Sequence, residues 1–470
     1  MASFCVGSCG TGNLTLNPAH PPFDLPGEPG NPILQYPEGF EHTNASEAAS
    51  ASSALLHHQQ SEAPSLTMPT TTSYHRTTPT AGTRNINHPP YAINNIYGDL
   101  AVHALSPNAT HHGGTPDYDT HNLFGHLILN ATYHALLAIH PTKRPFVIGR
   151  STFPGSGRFA GHWGGDNDAR WEAMAASIPQ ALSFSVFGVP MFGVDTCGFG
   201  GNSDMELCAR WMQVSAFLPF YRNHNILGAA PQEPYVWAAV AEAARRAMAV
   251  RYAMLPYLYT LMARAAGEGA TVVRAVVWEF EGEPWLAGED RVFMLGRAVL
   301  VVPCLEQGRE VVEGVVFPGV GGEGGTVWYD WYTVREVSAG VRRGEEVTVP
   351  APLGHIPVFL RGGSVVPVQE PGMTTRECRA SPWGLVVALD GEQRAEGELY
   401  LDDGESLEPG EVTWVHVSVS SSLCLFCLTC YSLLASSRPR SSRSGPAPRA
   451  ATSTPTPLPT SRSWGWPRVP

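Results

Sequence analysis

The side chains best suited to chemistry cluster in one glycine-rich segment, residues 149–171. Five glycines between residues 155 and 165 permit tight turns and a close approach of the backbone to a ligand. The charged and aromatic residues among them are Arg150, Arg158, His162, Trp163, Asp166 and Asp168. This composition favours a ligand-binding loop. The alternative is a solvated surface turn whose aspartate caps the following helix.

The segment is flanked by predicted strands and helices. An apolar strand is predicted over 145–148, just before the segment, and a helix over 171–182, just after it. α/β enzymes place their active sites at such strand exits. Further strands are predicted at 187–195, which ends in Asp195, and at 272–280. Helices are predicted from His121, from a capping box at Ser203–Glu206, and from Pro234 with an interruption at Pro256.

This alternation of strand, charged loop and helix is the pattern of a (β/α)8 barrel, although only about four units are found where a closed barrel needs eight. Beyond residue 295 the pattern is that of strands separated by Gly and Pro turns. The predicted fold class is α/β plus all-β: the C-terminal portion of a (β/α)8 TIM barrel followed by two β-sandwich domains. The predicted divisions are a partial barrel at 1–295 with a low-complexity insert at 43–90, a β-sandwich at 296–366, a partial distal β-domain at 367–418, and a disordered or artefactual tail at 419–470.

Composition narrows the class of partner. The formal net charge of −12 argues against nucleic acid, because phosphate binding needs a basic surface. No run reaches the roughly 20 apolar residues of a membrane span. Twelve tryptophans suit neutral ligands such as sugars. A zinc or two-metal hydrolase would need His and carboxylate residues at ligand spacing, such as H-E-x-x-H, and we expect neither a metal nor another cofactor.

Three motifs carry a family resemblance. In order along the chain they are RPFVIGRSTFPGSGRFAGHWGGDNDARW, GVPMFGVDTCGF and FLPFYRNHN. Together they closely resemble the α-glucosidases of glycoside hydrolase family 31, especially the secreted fungal ones, and the likeness runs from about Ser3 to about Trp414. The resemblance implies a retaining exo-α-glucosidase that releases glucose from the non-reducing ends of α-linked oligosaccharides.

The resemblance also assigns roles to individual residues. It implies that Asp166 is the catalytic acid/base and that Arg150 supports the transition state. The implied substrate-binding residues are Trp163, Asp195, Arg222 and His224. Asp166 would need a raised pKa, from burial beside Trp163 and from a negative neighbour. The alternatives are a strand-end cap for Asp195, a structural ion pair for Arg222 and a buried core imidazole for His224.

The catalytic nucleophile is expected to be missing from this chain. In the family it is an aspartate a few residues upstream of the stretch that matches SFCVGSC, and here that match begins at Ser3. The fragment is therefore expected to be inactive by itself. The alternative function is that of a non-catalytic remnant or a carbohydrate-binding protein.

Cysteines and glycosylation sequons bear on the compartment. Nine cysteines leave at least one unpaired. Cys5 with Cys9, and Cys197 with Cys208, are close enough in sequence to pair, and the resemblance supports the second pair. Sequons at Asn13, Asn44, Asn108 and Asn130 favour the secretory pathway or the extracellular space, although no signal peptide is found.

Overall fold

The computed structural model of this protein describes residues 111–322 and 324–421 and the backbone of residues 431–438. Some predictions fall elsewhere. The insert at 43–90, Cys5, Cys9, Asn13, Asn44, Asn108 and most of the 419–470 tail lie outside the described residues.

Short parallel strands form the first structural region. β1 (Ile148–Gly149), β2 (Gly161–Trp163) and β3 (Phe192–Gly193) pair in that order, and β4 (Asp195–Thr196) pairs with β5 (Arg222–Asn223). Val194 alone separates β3 from β4, so the series runs on from β1 to β5. Gly193 permits the close approach of the segment before β5, since a Cβ there would lie 1.9 Å from the Phe220 carbonyl oxygen.

Several predicted strands are shorter than expected or lie elsewhere. Only Ile148 of the predicted 145–148 strand is extended in the sheet, since Pro145 lacks a backbone donor. The predicted 187–195 strand starts late, because residues around Gly188, with φ at +75°, terminate the preceding helix. Strands β2 and β5 were not predicted, because each has only two or three residues inside a polar segment.

Helices surround these strands. In chain order they are α1 (Asp117–Thr120), α2 (Phe124–Ile139), α3 (Trp171–Val186), α4 (Met205–Ser215), α5 (Ala238–Ala253) and α6 (Leu255–Glu268). Single turns of 3-10 helix occur at His121–Leu123, Ser156–Arg158 and Pro234–Val236. The break between α5 and α6 confirms the interruption predicted at Pro256, which lies in the first turn of α6 where its missing N–H costs nothing.

The start of α4 differs from the predicted capping box. Asp204, not Ser203, is the N-cap residue, and its side chain accepts a hydrogen bond from Leu207 N at 2.9 Å. Glu206 points away from the cap and accepts a hydrogen bond from Gly308 N at 2.7 Å. The negative charge of the Asp204 side chain also interacts favourably with the positive end of the helix dipole.

Antiparallel strands dominate the rest of the described chain. One sheet has the order β10-β12-β8-β7-β6, and its strands are β6 (Val273–Arg274), β7 (Phe293–Leu295), β8 (Val299–Val301), β10 (Trp328–Asp330) and β12 (Val358–Arg361). β9 (Val311–Val316) pairs with β11 (Glu346–Pro350). Turns of 3-10 helix span Val276–Trp278 and Pro284–Gly288.

A further sheet closes the described structure. Its order is β14-β13-β15-β16-β17, with β13 (Ser364–Gln369), β14 (Trp383–Ala388), β15 (Arg394–Leu401), β16 (Thr413–Ser421) and β17 (Tyr431–Arg438), and α7 (Thr375–Ala380) precedes β14. Strand β16 continues through the predicted break at residue 419, because Val417 and Val419 both face the buried side of the sheet.

The predicted strand at 272–280 belongs to the antiparallel region and not to the barrel. Only Val273–Arg274 is extended, and it pairs with β7. The chain then turns at Val276–Trp278, where Trp278 N donates to Ala275 O at 3.0 Å. The predicted boundary at 295/296 falls between the paired strands β7 and β8, and the one at 366/367 falls inside β13. The division into domains otherwise stays a prediction.

A continuous apolar core joins the two regions. Trp211 and Phe217 from the helical region share it with Phe293 and Val358 from the antiparallel sheet, and all four are fully buried. Arg210 strengthens this joint because its buried guanidinium donates to the carbonyls of Arg309 and Ala351 at 2.7 and 2.8 Å. The parallel strands are thus held on a scaffold that includes the β-rich region.

Candidate active site

The predicted site residues lie at or just beyond the carboxyl ends of consecutive parallel strands. Arg150 follows β1, Trp163 ends β2 and Asp166 comes three residues later. Asp195 and Arg222 are paired neighbours in β4 and β5, and His224 follows β5. Because parallel strands end at the same edge of a sheet, side chains far apart in sequence meet there.

Asp195 and Arg222 form the centre of the cluster. Arg222 Nε lies 3.0 Å from Asp195 Oδ1, and Arg222 Nη2 donates to the same oxygen. Asp195 is fully buried, and its other oxygen, Oδ2, has no hydrogen-bond partner in the part of the chain that the structure describes. An unpartnered buried carboxylate oxygen is costly, so this atom needs a partner that the described residues do not supply.

The electrostatics of Asp195 follow from this burial. Burial raises the pKa of Asp195 above its usual value, and the Arg222 guanidinium and His224 oppose the rise. The negative charge of Asp166 raises the pKa of Asp195 further, which shows that the two carboxylates share one electrostatic environment.

Trp163 contributes an aromatic surface to the same cluster. The Arg222 guanidinium carbon lies 5.4 Å from the centroid of the Trp163 ring, within the range of a cation–π contact. The indole Nε1 is buried without a hydrogen-bond partner among the described residues. Trp163, Arg222 and Asp195 are therefore in contact as one unit.

Arg150 and Asp166 face each other at the edge of this unit. Arg150 Nη1 lies 3.5 Å from Asp166 Oδ2, and the two side chains are 54% and 50% exposed. Gly165, with φ at +81°, makes room for the arginine, because a Cβ there would lie 2.8 Å from Arg150 Nε. The expectation that Asp166 is buried beside Trp163 is wrong for the described structure, since the 165–166 turn directs its side chain outward.

His224 and the alternative interpretations can be compared with these contacts. The His224 side chain is exposed and its ring lies 5.4 Å from that of Phe199, so it is not a buried core imidazole. Asp195 accepts hydrogen bonds from Arg222 of the neighbouring strand, and its interpretation as a strand-end cap stays a prediction. The interpretation of Arg222 as a structural ion pair agrees with its bonds to Asp195, and a pair that leaves one oxygen unpartnered is also compatible with ligand binding.

Supporting residues were missed in the sequence. Asn167 Nδ2 donates to the Asp195 carbonyl oxygen at 2.9 Å, and buried Gln232 Nε2 lies within 3.3 Å of Thr196 O and 3.0 Å of Gly198 O. The Asn in the GGDND motif was the available signal for the first. The sequence offered none for the contacts of Gln232 with Thr196 and Gly198, because those residues lie 36 and 34 positions away.

His162 lies in β2 next to Trp163 and anchors that strand through buried contacts. Its ring stacks on Phe184 with centroids 3.8 Å apart, and Nδ1 lies 3.2 Å from Thr152 Oγ1. Burial, together with the nearby positive charge of Arg150, lowers the pKa of His162 to about 4. This neutral ring fixes the strand that carries Trp163.

A disulfide fastens the loop after β4. Cys197 and Cys208 are bonded, with their Cα atoms 4.6 Å apart, so the loop is attached to the first turn of α4. Cys304 and Cys378 are free and buried. Asn130 lies half-buried in α2, and its use as a glycosylation site stays a prediction.

Two family models match the chain. The model of the glycosyl hydrolases family 31 TIM-barrel domain matches residues 45–261, and that of the glycosyl hydrolase family 31 C-terminal domain matches residues 269–366. The chain belongs to glycoside hydrolase family 31. The fold is therefore part of the family's TIM barrel followed by its β-rich C-terminal domain, in agreement with the predicted fold class.

Individual relatives agree with this assignment. The chain is 59% identical to an alpha-glucosidase of Aspergillus niger over 425 residues and 56% identical to an alpha-glucosidase of Aspergillus oryzae over 424 residues. It covers only 42% of the length of each, while 90% of this chain is matched. A crystal structure of the glucosidase II alpha subunit, bound to alpha3-Glc2, matches 70% of this chain and 35% of its own, with a TM-score of 0.65 and 33% identity. Within residues 111–322 and 324–421, we find no helix that has both the length and the apolar character of a membrane span.

Proposed function

We propose that this chain supplies the acid/base and glucose-binding part of a retaining exo-α-glucosidase. The observation that carries the proposal is the cluster at the strand ends, in which buried Asp195 keeps one oxygen unpartnered beside Arg222 and Trp163. A carboxylate and a guanidinium suit vicinal hydroxyls, and an indole face suits the apolar side of a sugar ring. The alpha-glucosidase relatives support the choice of an α-linked glucose unit.

The proposed mechanism uses two carboxyl groups about 5 Å apart. Asp166 donates its proton to the glycosidic oxygen as the bond to C1 breaks, and a carboxylate nucleophile attacks C1 from the other face. Asp166 then takes a proton from the water that hydrolyses the glycosyl intermediate. Arg150, 3.5 Å from Asp166, lies where it can stabilise charge that develops at this edge.

We place the nucleophile outside the matched residues, as the family resemblance implies, and propose that this chain alone does not turn over substrate. The chain spans less than half the length of the curated relatives. The exposure of Asp166 supports the same proposal, because its side chain is 50% accessible and the described residues do not enclose it.

Maltose binding measured by calorimetry tests the glucose-binding role. The unmodified chain should bind maltose, and Asp195→Asn should weaken binding at least about tenfold because it removes a charged acceptor. Asp168→Asn is the matched control, since Asp168 is an exposed aspartate that pairs with Arg170 in the same segment. Equal binding by both variants would contradict the proposed site.

Hydrolysis of an aryl α-glucoside tests the catalytic role. The purified chain should give no turnover, and hydrolysis by it would overturn our placement of the nucleophile. Co-expression with the part of the Aspergillus niger relative upstream of the matched region should restore activity. That restored activity should then be lost in Asp166→Asn. The second candidate, a non-catalytic carbohydrate-binding protein, would instead bind maltose and stay inactive in this mixture.

We further propose a secretory or extracellular location and an oligosaccharide as the partner. The Cys197–Cys208 disulfide supports an oxidising compartment, as do the sequons. The net charge of −12 supports a neutral ligand over a nucleic acid. Thiol labelling of the protein purified from whole culture, cells included, should find Cys197 and Cys208 blocked, and free thiols at both positions would count against this location.

A further inference from the structure

A surface groove lies in the antiparallel region, away from the cluster around Asp195. It has a volume of about 550 Å³ and runs between residues 330–337 and strand β11. Its base includes the buried rings of Phe317 and Phe359, and one side is apolar, with Val347 and Pro350. This volume is within the range of pockets that bind small ligands.

Tyr332 presents an ordered aromatic surface in the groove. Tyr332 is 39% accessible as a residue, and its hydroxyl donates a hydrogen bond to Ile356 O at 2.8 Å. The ring also rests against the ring of His355, with centroids 4.6 Å apart. An aromatic ring that is both accessible and held at two points is preorganised for stacking.

Polar groups flank this ring. Asp330 Oδ1 accepts hydrogen bonds from Tyr332 N, Thr333 N and Thr333 Oγ1, at 3.1, 2.7 and 2.7 Å. All three bonds use one oxygen, and Oδ2 of this groove-lining residue accepts no hydrogen bond from the described residues. Arg335 is exposed in the groove and its guanidinium forms no ion pair within the described part of the chain.

The side of the groove that includes His355 is fixed to the helical region. Arg210 donates to the carbonyls of Pro352 and His355 at 3.1 and 3.4 Å, in addition to its bond to Ala351. Burial lowers the pKa of His355, and so do the positive charges of Arg246 and Arg210, against the effect of Asp330. A neutral imidazole can both donate and accept a hydrogen bond.

We propose that this groove is a second carbohydrate-binding site, which binds one or two units of a neutral α-linked glucose oligosaccharide. The groove offers the same kinds of group as the first site: an aromatic ring, a carboxylate, a guanidinium and an imidazole. They belong to Tyr332, Asp330, Arg335 and His355 here, and to Trp163, Asp195, Arg222 and His224 there. Acidic and basic side chains both line the groove, which favours a polyol over a strongly charged ligand. The identity of the sugar rests on the proposed function, whereas the existence of the site rests on the groove itself.

Maltotetraose titration by calorimetry tests the proposal. The unmodified chain should bind at two sites, and Tyr332→Ala should abolish or weaken one of them about tenfold. Trp383→Ala is the matched control, because Trp383 is a similarly exposed ring on β14, outside the groove. Tyr332→Phe should keep most of the binding, since the stacking ring remains.

The two sites are separated by combining variants. Asp195→Asn should remove only the first site and leave a component that Tyr332→Ala then removes. Residual binding that Tyr332→Ala leaves unchanged would overturn the groove proposal without affecting the first site. Loss of all binding in Asp195→Asn would overturn the groove proposal as well.

The proposed function has a different failing outcome. Binding in the groove that Tyr332→Ala removes, together with no effect of Asp195→Asn, would count against the proposed function and not against the groove. If Tyr332→Ala does not fold, Arg335→Ala gives the same test, with an expected loss of about threefold.

Discussion

The parallel-strand region and the antiparallel region of this protein differ in what their strands bury. Strands β1 to β5 have two or three residues each, and the helix α2 beside them exposes apolar side chains such as Phe124, Leu127 and Ile128. In the antiparallel sheet, by contrast, every residue of β7 and β8 is fully buried, including Leu300 and Val301. The first region carries the polar cluster, and the second has strands made entirely of buried apolar residues.

This difference separates chemistry from stability. Site residues at strand ends must offer polar groups to a ligand, so even a buried one such as Asp195 adds no apolar side chain to the core. The buried apolar residues that hold the strands in place come from helices α3 to α6 and the antiparallel sheet, through the core that both regions share. Substitutions of the same kind should therefore have unequal effects in the two regions.

The largest effect is expected in the antiparallel core. Leu300→Ala should lower the free energy of unfolding by about 4 kcal/mol, because it leaves a cavity beside fully buried neighbours such as Trp328. Chemical denaturation followed by tryptophan fluorescence measures this change. A loss below about 1 kcal/mol would contradict the view that stability is concentrated there.

Substitution of Asp402, which links the two regions, should lower stability almost as much. The side chain of Asp402 is fully buried and binds Arg144 from the segment before β1, Tyr259 Oη from α6 at 2.6 Å and Tyr400 Oη at 3.0 Å. Asp402→Ala should cost about 3 kcal/mol, because it leaves a partly buried arginine without its partner. Glu405→Gln, which breaks the exposed pair with Lys143, is the control and should leave the melting temperature nearly unchanged.

Asp402 should also confer a pH dependence. Burial raises its pKa, but hydrogen bonds from Tyr259 and Arg144 more than offset this and lower it below the usual value. The contribution to stability is therefore fully present above about pH 4, where the unfolded aspartate ionises, and is lost as the pH falls through the lowered pKa. Asp402→Asn should remove this decrease in melting temperature at acid pH. An unchanged dependence of melting temperature on pH would show that Asp402 is not its source.

His162 in the parallel-strand region should produce a second window, in which stability also rises with pH but at higher pH values than for Asp402. Its pKa of about 4 in the folded state lies below that of a free histidine, about 6.5, so the unfolded state binds a proton first. Stability should rise with pH between about 4 and 6.5 and be independent of this group outside that interval. Comparison of melting temperatures with those of His162→Phe, which keeps the stacked ring, isolates the effect.

The smallest effect is expected on the exposed face of α2. Ile128 is 49% accessible, so Ile128→Ser should change the free energy of unfolding by no more than about 0.5 kcal/mol. The same substitution should improve solubility, because it interrupts an exposed apolar surface. A destabilisation as large as that of Leu300→Ala would show that this face is buried in solution.

Local sequence patterns predicted much of this molecule. The three motifs indicated family 31, and the strand pattern beyond residue 295 indicated a β-rich region. Helix α3 and the α5–α6 break followed from apolar periodicity and from proline. The segment around Arg150 and Asp166 was identifiable because its glycines, charges and aromatic residues are adjacent in sequence.

Other features depended on contacts between distant segments. β2 and β5 are too short to show a period, and only their pairing with Gly149, Phe192 and Asp195 makes them strands. Val273–Arg274 joins the antiparallel sheet because β7 offers it a partner.

The sequence by itself determined which side chains were available for sugar chemistry and in what order they occur. Only the tertiary structure decided that Asp195 is buried while Asp166 is half exposed, and that the rings of Tyr332 and His355 contact each other within one groove. The physical reason is that burial and side-chain contact arise from packing between residues far apart in the chain, which no local pattern records.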